Sequence, residues 1–275
     1  MNYHDHAWIS YKLKQHYDEA KTLIPEERIV GIFLQGSQNY GLDTKDSDVD
    51  TKCIIVPSFR DIALARQPMS TTHVRQNEEH IDLKDIRLYI QTFRKQNLNF
   101  LEILFTQYCY FPNDDFYYEW IKLRNAREEI THYDPVRSVK SMMGIASEKY
   151  FALEHHYPSR MKWIEKFGYD PKQLHHLVRV AEFLKKYIEG VDYIHCLYSQ
   201  NADYLKSIKE GCLNVEEARK LANETYDDIT KMCDNFIMEH SKDKTRYPEV
   251  DKLLDDVSCE IMSIAVRNEI RNGNA

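Results

Sequence analysis

A strand-like run that leads directly into a glycine–serine turn is the feature that most constrains how this chain can fold. Residues 28–35 (RIVGIFLQ) are β-branched and apolar and end at Gly36 and Ser37, a pattern typical of a buried strand followed by a turn. Residues 49–56 (VDTKCIIV) form a second such run, which Pro57 closes. The two runs predict adjacent strands of one sheet, with a polar turn at the end of the first.

The remaining pattern separates a strand-rich first part from a helical second part. A short third strand is predicted over residues 80–84, and strand signals are almost absent after residue 85. Amphipathic spacing predicts helices over residues 8–23, 85–94, 99–105, 114–129, 136–155, 171–189, 215–240 and 249–271. The sequence therefore predicts an α+β fold. A small mixed-sheet domain over residues 1–110 precedes a helical domain over residues 111–275, which packs against it and contributes to the cleft between them.

Composition excludes several classes of protein. The chain has 37 Lys and Arg against 44 Asp and Glu, a net charge of −7, which argues against coating nucleic acid by bulk charge but allows a local basic face. No apolar run approaches the roughly 20 residues of a membrane helix, and the N-terminus lacks the pattern of a secretory signal. The 6 cysteines form no C-x-x-C pair, so we expect reduced thiols, no membrane partner and a cytoplasmic protein.

Acidic residues cluster where the second and third strands are predicted. Asp48 and Asp50 are two apart, so on a strand they share one face. Two ionised carboxylates this close repel each other unless a cation lies between them. Asp82 stands between apolar residues of the third strand, whereas Asp85 suits the N-cap of the next helix. Chance turn acids are the alternative, but three acids beside an anion-friendly Gly-Ser turn predict a two-metal site for Mg²⁺ or Mn²⁺ and a triphosphate.

This combination resembles the signature of the polymerase-beta-type nucleotidyltransferase superfamily. The positions that carry the resemblance are Gly36, Ser37, Asp48, Asp50 and Asp82. More narrowly, residues 36–42 (GSQNYGL) and 47–50 (SDVD) are similar to a family of predicted nucleotidyltransferases from bacteria and their phages. Residues 99–105 and 168–172, with His176 and Arg179, extend the resemblance over about residues 30–190.

The resemblance implies a palm-like catalytic domain and a role for each matching residue. Gly36 and Ser37 would hold the β- and γ-phosphates of an NTP, and Asp48 and Asp50 would ligate magnesium or manganese. Asp82 would complete the shell of the catalytic metal and help to deprotonate the acceptor hydroxyl. The reaction would be in-line transfer of a nucleoside monophosphate with loss of pyrophosphate, an activity of the EC 2.7.7 type. The location would be a bacterial cytoplasm, or the host cytoplasm if a phage encodes the chain.

Further candidate residues lie on the first turn and in the helical part. Lys172, His176 and Arg179 stand at i, i+4 and i+7 and so share one helix face. With the resemblance, this face is a candidate clamp on the triphosphate or on acceptor phosphates; a solvated basic face is the alternative. Asn39 and Tyr40 either pack on the base or sugar of the nucleotide or only shape the turn.

The sequence leaves the acceptor and two other functions open. The acceptor could be an RNA 3′ end such as that of a tRNA, a protein hydroxyl or a small molecule. A second hypothesis is a nucleotide-binding sensor or antitoxin-like protein without catalysis. A third is a helical ribonuclease, because Arg127 and His132 match a loose R-x4-6-H spacing. Retention of all three acids favours the enzyme.

Overall fold

Five strands form one mixed sheet in the first part of the chain. The computed structural model describes residues 4–45, 47–243 and 247–273, without the side chain of Ser159. The strands are β1 (Ile29–Gln35), β2 (Asp50–Ile55), β3 (Ser70–Val74), β4 (His80–Asp85) and β5 (Cys109–Tyr110). Their order is β3-β4-β2-β1-β5, with β2 and β4 parallel and the other pairs antiparallel. This confirms the predicted α+β fold, and adds two edge strands that the sequence pattern did not reveal.

Helices make up most of the rest of the structure. They are α1 (His6–Leu23), α2 (Phe59–Ala63), α3 (Ile86–Arg94), α4 (Leu98–Leu101), α5 (Asp114–Asn125), α6 (Arg127–Thr131), α7 (Pro135–Ala152), α8 (Met161–Phe167), α9 (Pro171–Ile188), α10 (Tyr193–Leu197), α11 (Ala202–Lys209), α12 (Val215–His240) and α13 (Glu249–Arg271). Short 3-10 turns lie at Glu26–Arg28, Ser37–Tyr40, Glu102–Leu104 and Pro158–Arg160. None of the helices within the described ranges is long and apolar enough to cross a membrane.

Polar caps set the start of the helices that flank the site. Asp85 accepts a hydrogen bond of 2.9 Å from the backbone N–H of Arg87 and begins α3, as predicted. Asp170 does the same for α9 through the N–H of Lys172, and Pro171 occupies the first helical position. The beginning of α9 is therefore fixed by local chemistry.

The two faces of the sheet pack on different partners. Residues such as Cys53, Ile81 and Leu83 pack under α1, whereas Ile54 and Val56 belong to a second buried cluster shared with the helical part. Because side chains alternate along a strand, Asp50 and Asp82 point to the same side as the helical part. That second cluster contains residues of both parts of the chain. The division at residue 110 stays a prediction.

Candidate active site

A cavity of about 800 Å³ lies between the ends of β1 and β2 and helices of the second part of the chain. The turn after β1 and the loop before β2 form one wall. Residues of α7, α8, α9 and α11 line the opposite wall. The predicted site residues that line it are Gly36, Ser37, Tyr40, Asp48, Asp50, Lys172, His176 and Arg179. Asn39 and Asp82 are not among the lining residues.

The Gly36–Ser37 turn depends on a backbone conformation that only glycine adopts easily. Gly36 has φ 108° and ψ −163°, a region essentially closed to residues with a side chain. The 3-10 turn Ser37–Tyr40 follows at once, and the side chain of Asn39 fastens it. Its amide donates to the carbonyl of Leu34 at 3.0 Å, and its oxygen accepts from the hydroxyl of Thr106 at 2.6 Å. Asn39 therefore shapes the turn.

Replacing Gly36 with Ala should strain this turn and weaken nucleotide binding. Holding a residue with a Cβ in this backbone conformation costs about 1–3 kcal/mol of folding free energy. Relief of that strain would move the turn and the cavity wall that begins there. Gly144→Ala is the matched control, because a Cβ there meets nothing within 4 Å and Ala stabilises a helix interior by roughly 0.5–1 kcal/mol. Urea unfolding measures the loss of stability, and the Kd for NTP measures the weaker binding. Equal stability of G36A and the wild type would contradict the expected strain.

Asp48 and Asp50 bring two carboxylates to the sheet side of the cavity. Asp50 accepts a hydrogen bond of 2.9 Å from the backbone N–H of His80, whose ring Nδ1 lies 3.0 Å from the same oxygen. The carboxylate of Asp48 accepts no hydrogen bond from a residue of the described ranges. Burial raises the pKa of Asp48, the charge of Lys172 lowers it, and that of Asp50 raises it. The ionised form of Asp48 is therefore less favourable in the protein alone than it is in water.

Asp82 lies on the same face of the sheet but is engaged by a lysine. In the parallel pairing of β2 and β4 it lies opposite Lys52, whose Nζ is 3.3 Å from its Oδ2. Lys52 is only 3% exposed and its ammonium lies 4.1 Å from the centroid of the Phe100 ring. Asp82 is thus paired with Lys52 and does not line the cavity.

The chemistry of these acids fits a divalent cation in part. Carboxylate oxygens are the donors that Mg²⁺ and Mn²⁺ prefer, and the repulsion between Asp48 and Asp50 is relieved by a bound cation. Within the described part of the chain, however, no three His, Cys, Asp or Glu side chains lie close enough to hold a metal ion. Asp48 and Asp50 fit the ion that the resemblance implies, whereas Asp82 is paired with Lys52.

A buried polar network ties the turn to α9. The hydroxyl of Tyr40 donates to the carboxylate of Glu102, and the guanidinium of Arg179 lies 3.9 Å from the centroid of the Tyr40 ring. Nη2 of Arg179 is 4.0 Å from the same Glu102 oxygen. Burial raises the pKa of Glu102, and the charge of Arg179 opposes that shift. Tyr40 is only 4% exposed, and its contacts with Glu102 and Arg179 hold the end of the turn; a contact of its ring with the base or sugar of the nucleotide stays a prediction.

The predicted basic face of α9 lines the cavity, as expected from the i, i+4 and i+7 spacing of its residues. Lys172, His176 and Arg179 all line it. Burial holds the pKa of His176 well below its usual range, and the neighbouring charges of His175, Lys172 and Arg179 add to this effect. His176 is therefore a neutral imidazole at pH 7. His175 also lines the cavity, and its Nδ1 lies 2.8 Å from the carbonyl oxygen of Leu205 in α11.

Lys209 is a site residue that the sequence analysis did not find. It ends α11, and its ammonium donates a hydrogen bond of 2.8 Å to the hydroxyl of Ser47, directly before Asp48. Burial and, less strongly, the charge of Lys172 lower the pKa of Lys209, Asp48 opposes them, and the resulting pKa is about 8. Two ammonium groups thus flank Asp48. No motif surrounds Lys209, so only the packing of α11 on α9 could reveal its position.

The ribonuclease pair lies elsewhere. Arg127 donates to the carbonyl of Arg124 at 2.8 Å, and the ring of His132 stacks on Tyr187 with centroids 5.0 Å apart. Neither side chain lines the cavity. Their spacing along the chain reflects helix packing in the second part of the protein.

Comparison with known proteins supports the interpretation of the cavity. The model of one family, RlaP, described as the RNA repair pathway DNA polymerase beta family, matches residues 6–181. The match includes the Gly-Ser turn, all three acids and the basic face of α9, and it ends before Lys209. A search of curated proteins finds no significant match.

Proposed function

Because the chain belongs to the RNA repair pathway DNA polymerase beta family, we propose that it is a metal-dependent nucleotidyltransferase. It transfers a nucleoside monophosphate from an NTP to the 3′ hydroxyl of an RNA and releases pyrophosphate. The observation that carries this proposal is the composition of the cavity. A Gly-Ser turn and a pair of carboxylates face a wall of cationic side chains across one space.

Each wall of the cavity suits one part of the reaction. Gly36 and Ser37 let the phosphates approach the backbone closely. Lys172 and Lys209 add two positive charges beside Asp48, which suits the charge of the β- and γ-phosphates and of the leaving pyrophosphate. Asp48 and Asp50 would hold the magnesium or manganese. When bound, such an ion neutralises phosphate charge and lowers the pKa of the attacking hydroxyl.

The assignment of RNA as acceptor rests on the family description and on local charge. The chain as a whole carries −7, yet Lys45, Lys149, Lys172 and Lys209 line this one cavity. Local positive charge is what a nucleic-acid end requires from a protein of acidic overall composition. Transfer to a protein hydroxyl or a small molecule, and nucleotide sensing without transfer, are the outcomes that compete with it.

The test is incubation with each α-labelled NTP, Mg²⁺ or Mn²⁺, and a single-stranded oligoribonucleotide. We expect label on an oligonucleotide with a 3′ hydroxyl, none on a matched one ending in a 3′ deoxynucleotide, and none in EDTA. Label on protein or on a small molecule in lysate would replace RNA as the acceptor. Metal-dependent NTP binding without transfer to any acceptor would favour the sensor hypothesis instead.

Replacing Lys209 with Met should raise the KM for NTP by about 10–100-fold, since hydrogen bonds to charged groups contribute about 1.5–3 kcal/mol each. The substitution keeps the length of the side chain and removes its charge beside Asp48. Lys220→Met is the control, because the side chain of Lys220 is 77% exposed on α12. Steady-state kinetics and binding of inorganic tripolyphosphate measure the effect. An unchanged KM in K209M would remove Lys209 from the phosphate site.

A further inference from the structure

Helix α8 places an aromatic and basic surface on the rim of the cavity. Lys162, Trp163 and Lys166, which we name the α8 platform, all line the cavity. The Trp163 ring is parallel to that of Phe167 within 8°, with centroids 6.0 Å apart. The ammonium of Lys162 lies 5.6 Å from the Trp163 ring centroid. Within the described ranges, neither lysine of the platform forms an ion pair with an acid.

The α8 platform is fixed relative to the phosphate-binding side chains. Arg160, directly before α8, makes two hydrogen bonds of 2.6 Å to the carboxylate of Asp170. The same carboxylate caps α9 by accepting a hydrogen bond of 2.9 Å from the backbone N–H of Lys172. From the other side Phe167 packs on Gly211, where a Cβ would lie 2.4 Å from the ring. The α8 platform is thus held in place from two sides, by the N-terminus of α9 and by the loop after α11.

The chemistry of the platform fits single-stranded nucleic acid better than a free nucleotide. An aromatic ring with neighbouring cations stacks a base and binds the adjoining backbone, and such contacts tolerate any base. The phosphates of an NTP already have cations of their own at Lys172 and Lys209, beside Asp48. All the phosphates of a free NTP are on the 5′ side of its nucleoside, so it has no further phosphate for a second set of cations next to its base. Two exposed, unpaired lysines next to a stacking ring therefore suit a strand that continues out of the cavity.

We propose that the α8 platform is the acceptor-strand subsite of this protein. A base near the 3′ end of single-stranded RNA stacks on Trp163, and Lys162 and Lys166 bind the phosphates on either side of it. This inference rests on the proposed function for its choice of RNA as the acceptor. It adds the place where the strand lies and the side chains that hold it.

The test is binding of a single-stranded oligoribonucleotide without NTP, followed by tryptophan fluorescence and by fluorescence anisotropy of a labelled strand. Neither Trp8 nor Trp120 lines the cavity, so Trp163 is the tryptophan that a strand in the cavity quenches. We expect Trp163→Ala to weaken strand binding about 10-fold or more, the effect of one lost stacking contact, and Trp163→Phe to retain most of the affinity. The KM for NTP should stay unchanged in both.

Charge variants supply an independent readout. Lys162→Gln with Lys166→Gln should flatten the salt dependence of strand binding, since each phosphate contact contributes to that slope. Lys220→Met, far from the cavity, should leave the slope unchanged. The measurement is the Kd of the same oligoribonucleotide over a series of salt concentrations. An unchanged slope in the double variant would contradict the role of the two lysines.

The outcomes separate this inference from the proposed function. Strand binding that is lost in W163A while the wild type transfers no nucleotide would support the platform and overturn the function. Transfer by the wild type with unchanged strand affinity in W163A would keep the function and overturn the platform. Quenching of Trp163 by NTP but not by the strand would assign the ring to the nucleotide base and overturn the inference too.

Discussion

Replacing both Asp48 and Asp50 with Asn should lower kcat/KM for nucleotide transfer by about three orders of magnitude or more, because metal-assisted stabilisation of charge contributes several kcal/mol to such reactions. The substitution keeps the size and shape of both side chains but removes the charges that would hold a divalent ion. The loss should appear in kcat, with every NTP and with either Mg²⁺ or Mn²⁺. Transfer of α-labelled NTP to an oligoribonucleotide measures it.

The folded state should not suffer from this double substitution. The pKa of Asp48 is raised in the fold, chiefly by burial, so the ionised carboxylate is less favourable there than in the unfolded chain. Such a group opposes folding more strongly as the pH rises from its ordinary pKa to its raised pKa in the fold, and by a constant amount above that. Asn at this position removes that penalty, and urea unfolding at pH 7 should show equal or greater stability. If D48N/D50N is less stable than the wild type and loses activity because it unfolds, the expectation that the substitution affects catalysis without affecting stability is wrong.

A matched double substitution shows whether charge alone explains the loss. Asp227→Asn with Asp228→Asn removes the same charge from the exposed surface of α12, and full activity is expected. Several kcal/mol of stabilisation by a metal ion correspond to far more than 10-fold in rate. Transfer by D48N/D50N within 10-fold of the wild type, in the presence of metal, would therefore contradict the role of the pair. The role of Asp82 stays a prediction, since the carboxylate is paired with Lys52.

The sheet and its acids were predictable because the signals are local. Buried strands produce apolar runs, and the D-x-D pair predicted for the start of β2 does bring both acids to the cavity, although β2 begins only at Asp50 and Asp48 lies in the loop before it. The same holds for Lys172 and Arg179, whose spacing fixes their common side of α9. Edge strands β3 and β5 gave no such signal, because β3 is almost wholly exposed and β5 has only 2 residues.

The residues that sequence analysis missed or left ambiguous depend on long-range packing. Lys209 reaches Ser47 from α11, which packs on α9, and Trp163 lines the cavity in α8, whose preceding residue Arg160 is paired with Asp170. Tyr40 could have packed on a base or shaped the turn. Its partner Glu102 lies 62 residues away in sequence, so no local pattern could decide between the two. Contacts of this kind follow from the complete fold and from no single segment.

Replacing Glu102 with Ala should lower the free energy of unfolding by about 3 kcal/mol or more, the usual cost of leaving one member of a buried charged pair without its partner. Glu102 is 5% exposed. Its loss removes the acceptor of the Tyr40 hydroxyl and the anion nearest to Arg179. Urea unfolding of the full chain measures the change.

The same substitution should also affect the nucleotide site, because Tyr40 ends the turn that begins at Ser37. Glu102→Gln is the conservative control: it keeps an acceptor for Tyr40 and the volume of the side chain, so it should destabilise less than Glu102→Ala and leave the KM for NTP closer to the wild type. Glu224→Ala, on a side chain of α12 that is 63% exposed, should change neither quantity. If Glu102→Ala unfolds at the wild-type urea concentration, the buried network does not support the turn. If it is destabilised with an unchanged KM, the network stabilises the fold without positioning the phosphate-binding residues.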